Sequence, residues 1–270
     1  MRNYGKLENI IIYSLMSLKE YYLNYNLTFV IKYIKYTPMK ISIKTFALFL
    51  IISSLFLTSC SNDDNKTDFG ISSGNYFPLK TNNEWTYIIE SQSLTNLIKI
   101  VGSETFGGTS YYEFTDNSEV YPYIIKHWFA KKGATYLLKT DDTTINQGGL
   151  SYTIQNYELP ILKDDFQVNI SWFGSVSPKF SYSGNGQSGT LPLKVDYTGR
   201  NFFKGEVTLN NVVYPNVIKS RVNAVINANG QVSTSTEEYW FAENIGIIKL
   251  VTYNSDGTIT EKDIYNYSLN

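Results

Sequence analysis

The sequence predicts an all-β fold: one antiparallel, strongly curved sheet that forms an open barrel or half-barrel meander with little helix. Short runs rich in Val, Ile, Thr, Tyr, Phe and Trp alternate with clusters of Gly, Asn and Asp, the pattern of strands and turns. The gaps between these runs are short, which favours hairpins over parallel crossovers. No stretch after residue 60 keeps a 3.6-residue apolar period over three turns.

Strands are expected along the whole chain from residue 84 onward. Their expected bounds are 84–91, 95–103, 109–115, 120–129, 134–140, 150–157, 166–174, 190–198, 203–209, 212–227, 232–242, 245–254 and 258–267. At most a short helix or an irregular insertion is expected around 158–165 or 175–189. The Ser/Gly-rich stretch 175–189 is interpreted as a long flexible loop, with an inter-domain linker as the alternative.

The expected hairpin tips contain residues that tolerate a positive φ. They are Gly107-Gly108, Lys132-Gly133, Asn210-Asn211, Asn227–Gly230 and Asn254–Gly257. Between them, several strands are apolar on both faces, whereas a sheet with one face in water alternates more cleanly. This pattern indicates a sandwich, a curled barrel, or a half-barrel whose concave face is also covered.

The amino-terminal region has the layout of a secretory signal. Lys40 and Lys44 precede the apolar run 46–57, and small residues then lead to Cys60, the only cysteine. The run is shorter than the roughly 20 residues that span a bilayer, and a buried core helix is the alternative. Cys60 in this position resembles the lipobox cysteine of bacterial lipoproteins. That resemblance implies lipid attachment at Cys60, with acyl chains on its thiol and amine that together anchor stably.

These features divide the chain into four parts. Residues 1–38 are interpreted as an upstream extension assigned in error, with a genuine amphipathic prefix as the alternative. Residues 39–59 are the expected signal peptide, 60–74 a flexible acidic tether, and 75–270 a single β domain. The acidic run after Cys60 resembles the export signal of Bacteroidota-type surface lipoproteins. We therefore expect a lipid-anchored outer-membrane protein that is surface-exposed or faces the periplasm.

Charge argues against nucleic acid as a partner. From Cys60 onward the chain holds 16 Lys and Arg and 22 Asp and Glu, a net charge of −6. Only two of the basic residues are arginines, Arg200 and Arg221, so the basic face of a nucleic-acid binder is missing.

Both ends of the expected domain resemble known lipoproteins. Residues 75–87, Asn-Tyr-Phe-Pro-Leu through Trp-Thr-Tyr, resemble the opening of uncharacterised Bacteroidota-type lipoproteins. Residues 238–249 resemble the strand pair of TapB-like lipoproteins, which are similar to half-barrel carriers of the LolA/LppX type, and 199–222 fit the stretch before that pair. Asn83 and Asn244 stand where the family often has Gly, and Asn tolerates a positive φ. These motifs are structural, so the resemblance implies a fold rather than an activity.

Candidate chemical groups are few. His127 is the single histidine, so common zinc sites are not expected, and no cofactor motif is found. Asp141–Asn146 and Asp256 lack the ligand spacing of a calcium loop and are interpreted as solvated turns. The neighbours Glu237 and Glu238 should point to opposite faces of a strand and cannot form an acid–base pair by themselves.

The leading expectation is a non-enzymatic envelope lipoprotein that binds an apolar molecule in a half-barrel groove, or a protein partner. The alternative is a surface glycan-binding or adhesion module with exposed Tyr or Trp on a flat face. A hydrolase is the third hypothesis and would need clustered carboxylates in a cleft. The 16 tyrosines and four tryptophans after Cys60 allow such surfaces, although aromatic residues also fill strands and cores. No ligand-contacting residue can be assigned from the sequence.

Overall fold

A computed structural model describes residues 69–89, 94–116, 127–254 and 257–270. These residues form sixteen strands and no helix, which confirms the predicted all-β class. The strands are β1 (Glu84–Ile89), β2 (Leu94–Phe106), β3 (Thr109–Asp116), β4 (His127–Lys132), β5 (Thr135–Thr140), β6 (Thr143–Gln147), β7 (Leu150–Ile154), β8 (Glu158–Lys163), β9 (Ser171–Val176), β10 (Phe180–Gly184), β11 (Gln187–Leu191), β12 (Leu193–Leu209), β13 (Val212–Ala228), β14 (Gln231–Ala242), β15 (Gly246–Tyr253) and β16 (Ile259–Ser268). The parts expected as extension and signal peptide, and residues 60–68 of the tether, lie outside the described residues.

Twelve strands form one antiparallel sheet in the order β8-β5-β4-β3-β2-β1-β16-β15-β14-β13-β12-β9. Most neighbours in the sheet are also neighbours in the chain, and two-residue turns connect four of these pairs. Gly107 and Gly108 have φ values of +55° and +79°, and Asn210 and Asn211 have +52° and +64°. Paired positive φ values are typical of the tight turns that match strand twist. The first and last strands pair with each other, so the sheet joins both ends of the fold.

The sheet curls until its two edges meet, and side chains close the seam between them. Ser220 of β13 donates a hydrogen bond to the Ile161 carbonyl of β8 at 2.7 Å. The Asn201 amide of β12 reaches the Lys163 carbonyl at 2.7 Å, and the Trp172 indole of β9 reaches the Pro160 carbonyl at 3.2 Å. These donors bond to carbonyls of β8 and so connect the two edges of the sheet across the seam. The expected curved, open barrel is therefore confirmed as a nearly closed one.

The concave face of the large sheet is filled with aromatic side chains. Phe77 lies 5.2 Å from Trp85, 5.3 Å from Phe114 and 5.2 Å from Phe129, measured between ring centroids. Trp85 is 1% exposed, and its indole donates to the Ile245 carbonyl at 2.7 Å. Each such buried side chain contributes about 1.5–3 kcal/mol. In the described part of the chain, side chains fill the centre of the barrel, where an open apolar groove was expected.

The convex face of the sheet carries a second, smaller apolar cluster. Tyr111, Trp128, Ala130 and Leu137 are buried there, and Phe106 packs against them. Phe106 meets the Tyr111 ring at 5.5 Å and the Trp128 ring at 5.4 Å. This cluster explains why the sequence of these strands is apolar on both faces.

The segment before β1 caps one end of the barrel. The Asp164 side chain is fully buried and accepts hydrogen bonds from the Ser72 hydroxyl at 2.6 Å and the Ser73 amide at 2.8 Å. The Phe69 carbonyl accepts from the Ala134 amide at 2.7 Å, beside the turn between β4 and β5. Residues 69–74, expected to end the tether, are therefore bonded to the barrel, and the chain joins the fold at this end.

Two insertions build a separate four-stranded sheet in the order β11-β10-β7-β6. The β6–β7 hairpin lies between β5 and β8, which pair with each other, and the β10–β11 hairpin lies between β9 and β12, which also pair. Asp142 closes the base of the first insertion by accepting from the Asn156 amide at 2.8 Å and its side chain at 2.7 Å. Those bonds hold the pKa of Asp142 below its usual value.

Four expectations about the elements need correction. Thr143–Asn146, expected in a solvated turn, belong to β6, because β7 pairs with them. Within 158–165, expected as a short helix or an irregular insertion, Glu158–Lys163 form the seam strand β8. The expected loop 175–189 contains β10 and most of β11. The two expected strands 190–198 and 203–209 belong to one long strand, β12, with irregular pairing at Asn201/Phe203 and Gly205/Val207. Most of the expected strand 120–129 lies outside the described residues.

Candidate functional site

A cleft of about 760 Å³ lies where the four-stranded sheet meets the start of β12, the end of β13 and the turn that follows it. Its apolar part is formed by Phe180, Leu191 and Leu193, flanked by Pro178 and Pro192. Phe180 and Leu193 are 5% and 8% exposed, so they form a fixed floor. The cleft is an open surface depression rather than an enclosed pocket, so it suits a ligand that lies along the surface.

An aromatic ladder continues from the cleft floor across the small sheet. It consists of Phe180, Tyr152 and Tyr182, all on one face. The rings of Phe180 and Tyr152 are 6.3 Å apart, and those of Tyr152 and Tyr182 are 6.4 Å apart. Strand register holds this spacing, because Tyr182 of β10 pairs directly with Tyr152 of β7. Both tyrosines are half-buried.

The opposite face of the small sheet has a different chemistry. Every side chain there is a hydroxyl or an amide; in pairing order the rows are Thr190, Ser181, Thr153, Thr144 and Ser188, Ser183, Ser151, Asn146. The two faces alternate because successive strand residues point to opposite sides. The small sheet is therefore amphipathic, and its aromatic face is the one that leads into the cleft.

Polar side chains surround the cleft floor. Lys194 is held by Asp196 at 2.8 Å, and this lysine lowers the pKa of the Asp196 carboxyl. Lys179 is exposed and has no carboxylate partner among the described residues. Asn227 uses its side-chain oxygen to accept from the Gly230 amide at 3.0 Å. The cleft thus combines an apolar floor with exposed donors, one of them an unpaired cation.

The cleft lies at the end of the barrel opposite the cap. Strand β5 begins at Thr135, next to the turn where Phe69 is bound, and ends at Thr140, where the first insertion starts. The second insertion leaves the barrel beside Val176, which pairs with Val195 near the far end of β12. The small sheet therefore projects away from the end at which the chain joins the fold.

The paired carboxylates of β14 are separated, as expected from the sequence. Glu238 lies on the convex face and accepts from Arg221 at 2.8 Å and from the Tyr253 hydroxyl at 2.7 Å. Glu237 lies on the concave face and accepts a hydrogen bond from the Tyr239 hydroxyl. Burial raises the pKa of Glu237, and the bond from Tyr239 opposes this rise only in part. The two groups do not share a site.

The other candidate residues are scattered. Cys60, the expected lipid-attachment residue, and Asp256 lie outside the described residues. His127 is half-buried at the start of β4. No group of three or more metal-binding side chains occurs among the described residues. The same residues include no helix with the length and apolarity needed to cross a membrane.

The four tryptophans have separate structural surroundings. Trp85 lies in the core, Trp128 in the convex cluster and Trp172 at the seam. Trp240 lies on the convex face, with the Lys219 ammonium 3.3 Å and the Lys249 ammonium 5.4 Å from its ring centroid. None of them lines the cleft.

The ladder residues were not identified from the sequence. Phe180 and Tyr182 fall in the expected loop 175–189, where a high Ser and Gly content hides the strand. One signal was available, since Phe180-Ser181-Tyr182-Ser183 alternates aromatic and hydroxyl side chains with the two-residue period of a strand.

Comparisons with known proteins give no family for the chain. No family model and no curated protein matches it. One similar solved structure is of a protein from Parabacteroides distasonis classed provisionally as a lipoprotein, with 11% identity, a TM-score of 0.44, and coverage of 72% of this chain and 99% of that chain. Another is of a Bacteroides fragilis protein classed provisionally as exported, with a YmcC-like fold, 10% identity, a TM-score of 0.42, and coverage of 73% and 100%. The resemblance to TapB-like and LolA/LppX-type proteins stays a prediction, and function is argued from the residues of this chain.

Proposed function

We propose that this protein is a non-enzymatic, lipid-anchored protein of the bacterial cell envelope that binds an extended ligand in the cleft beside the four-stranded sheet. The observation that carries the proposal is the contrast between the two sheets. The barrel is filled by its own side chains, whereas the small sheet keeps a half-buried aromatic face that opens into a cleft. Its hairpins are insertions that the barrel does not need for its own pairing.

The position of the cleft fits a tethered binding protein. An anchor at Cys60 would leave residues 61–68 between the lipid and Phe69, which is bound at the capped end of the barrel. The cleft lies at the other end and would face away from the membrane. A ligand would then reach it without approaching the lipid surface.

The other expected functions have less support. An apolar ligand inside the barrel would have to displace packed rings such as Phe77 and Phe241. A hydrolase would need neighbouring carboxylates, whereas Glu237 and Glu238 lie on opposite faces of the sheet. A protein partner at the cleft stays as an alternative occupant.

Native mass spectrometry of the protein after exposure to an envelope extract tests the binding site. Asn227→Trp places a bulky side chain at the cleft rim and should remove any specific adduct. Asn223→Trp is the matched control, because Asn223 is an exposed asparagine of the same strand that does not line the cleft. An adduct that survives Asn227→Trp but is lost in Asn223→Trp would show that the site lies elsewhere.

The anchor is tested separately in the bacterium. Metabolic labelling with a palmitate analogue should mark the parent and not Cys60→Ala, and Cys60→Ala should appear in the soluble fraction. Retention of Cys60→Ala in the membrane fraction, without label, would contradict lipid anchoring at this residue.

A further inference from the structure

We propose that the ladder formed by Phe180, Tyr152 and Tyr182 binds a carbohydrate chain, whose sugar rings stack on the two tyrosines. This inference rests on the proposed function, since it names the ligand class of the same site. The proposed ligand is a glycan, and a lipid or a protein bound at this site instead would overturn the proposal.

The orientation of the Tyr182 ring suits stacking. A Cβ atom placed on Gly189 of β11 would lie 2.9 Å from both Cε1 and the hydroxyl of Tyr182. The missing side chain at this position lets the tyrosine ring lie flat on the neighbouring strand. One ring face is then pressed against the sheet, and the half-buried ring keeps part of its surface for stacking.

The spacing and tilt of the rings favour an extended ligand. Tyr152 and Tyr182 are cross-strand partners 6.4 Å apart with 38° between their planes, and Phe180 continues the row at 6.3 Å and 41°. Such tilted neighbours form a gently twisted surface rather than an enclosed pocket. An extended ligand with a repeating flat face fits this shape better than a compact apolar molecule.

The hydroxyls of the two ladder tyrosines differ from those of the core tyrosines in their hydrogen bonding. Tyrosines of the barrel core use theirs within the protein: Tyr87 donates to the Ile247 carbonyl at 2.7 Å, and the Tyr136 hydroxyl accepts from the Tyr76 amide at 2.8 Å. The hydroxyls of Tyr152 and Tyr182 bond to no described residue. They are therefore available to a ligand that carries hydroxyl groups of its own.

The combined chemistry matches a sugar ring. A pyranose presents an apolar CH face that packs on an aromatic ring, and hydroxyls around its edge that need hydrogen-bond partners. The ladder supplies the rings, and the rim supplies exposed polar groups such as Lys179 and Asn227. An acyl chain could pack on the rings but would make no use of these polar groups, whereas a sugar can bond to them. The unpaired Lys179 would in addition favour a carboxylate-bearing sugar.

Affinity gel electrophoresis of the full chain tests the inference. The probes are soluble neutral polysaccharides (a β-glucan, a mannan and a xylan) and acidic ones (polygalacturonate and alginate), with isothermal titration on any that retards the protein. We expect at least one probe to bind and its Kd to rise about tenfold or more in Tyr152→Ala and in Tyr182→Ala, since stacking on one aromatic ring commonly has this magnitude. Stronger retardation by the acidic probes, lost in Lys179→Ala, would identify the acidic class; retardation by neutral probes alone would identify the neutral class.

Two further variants separate stacking from folding. Gly189→Val keeps every aromatic residue but occupies the space under Tyr182, so it should weaken binding while far-UV circular dichroism stays unchanged. Ser183→Ala, one residue from Tyr182 on the opposite face, should bind as the parent does. Retardation by no probe, or unchanged binding in the Tyr152→Ala/Tyr182→Ala variant, would overturn the carbohydrate inference. If in that case Asn227→Trp still removes an adduct from the envelope extract, the cleft function stands and only the ligand class is wrong.

Discussion

Asp164→Ala should destabilise the protein by detaching its cap. The carboxylate is 0% exposed and accepts two short hydrogen bonds, from the Ser72 hydroxyl and the Ser73 amide. The Lys131 ammonium lies 3.8 Å from the same carboxylate. Burial lowers the pKa of Lys131, and the negative charge of Asp164 offsets this lowering in part. Asp164 is thus one of the main groups that hold the segment before β1 on the barrel, together with the Phe69–Ala134 backbone bond.

The expected size follows from these contacts. A hydrogen bond to a charged group contributes about 1.5–3 kcal/mol, so losing two corresponds to about 3–6 kcal/mol. Removing one partner of a buried ion pair has a similar effect, about 3–5 kcal/mol. Domains of this kind have a total stability of about 5–15 kcal/mol, so the variant should fold but unfold at clearly lower urea. Asp164→Asn keeps the shape and one acceptor and should lose about half as much.

Urea unfolding followed by tryptophan fluorescence measures the free-energy difference, and hydrogen exchange with mass spectrometry measures protection of residues 69–79. Exchange of these amides should accelerate in Asp164→Ala before the barrel strands are affected. Glu206→Gln is the control, because Glu206 is an exposed carboxylate of β12 and should change stability by less than about 1 kcal/mol. A stability within 1 kcal/mol of the parent, with unchanged exchange in 69–79, would refute the role given to Asp164.

Two other predictions concern the barrel interior. Gly246→Ala should cost about 1–3 kcal/mol in urea unfolding, because Gly246 has a φ of +115° and a new Cβ would lie 2.9 Å from both Phe77 Cδ2 and Trp85 Nε1. Gly108→Ala, with a φ of +79° and open space around it, should show only the smaller backbone penalty, and equal losses in both variants would exclude the clash. Burial raises the pKa of Glu237, so the folded state holds this proton more tightly, and stability should fall as pH rises from about 4.5 through the raised pKa. Glu237→Gln should abolish that fall, and unfolding free energies that run parallel to the parent from pH 4 to pH 7 would contradict it.

Local turn chemistry could be read from the sequence. Gly107-Gly108 and Asn210-Asn211 are found at hairpin tips with positive φ values, as expected. Such turns depend on which residues tolerate that conformation, and tolerance is a property of the residue itself. The strands between these turns were also predicted, because long runs of β-branched and aromatic residues are typical of strands.

The missed strands have a common cause. β8 contains Pro160 and lies at the seam, and proline is confined to edge strands because it lacks an amide donor. β10 and β11 are rich in Ser and Gly, the composition of a loop. Each becomes a strand because a partner distant in the chain pairs with it: β5 for β8, and β7 for β10. The residues on either side of these strands in the sequence do not include that partner, so the local sequence alone does not predict the strand.

By itself the sequence determined an antiparallel all-β domain, its main turns, and an amino terminus with the features of a lipoprotein signal that ends just before Cys60. Only the tertiary structure decided that the sheet closes through Ser220, Asn201 and Trp172, and that two insertions meet in a second sheet. It alone brought Tyr152 beside Tyr182, thirty positions later in the chain. Turn and strand preferences act between neighbours in the sequence, whereas a seam and an aromatic ladder depend on contacts between residues that only the folded chain brings together.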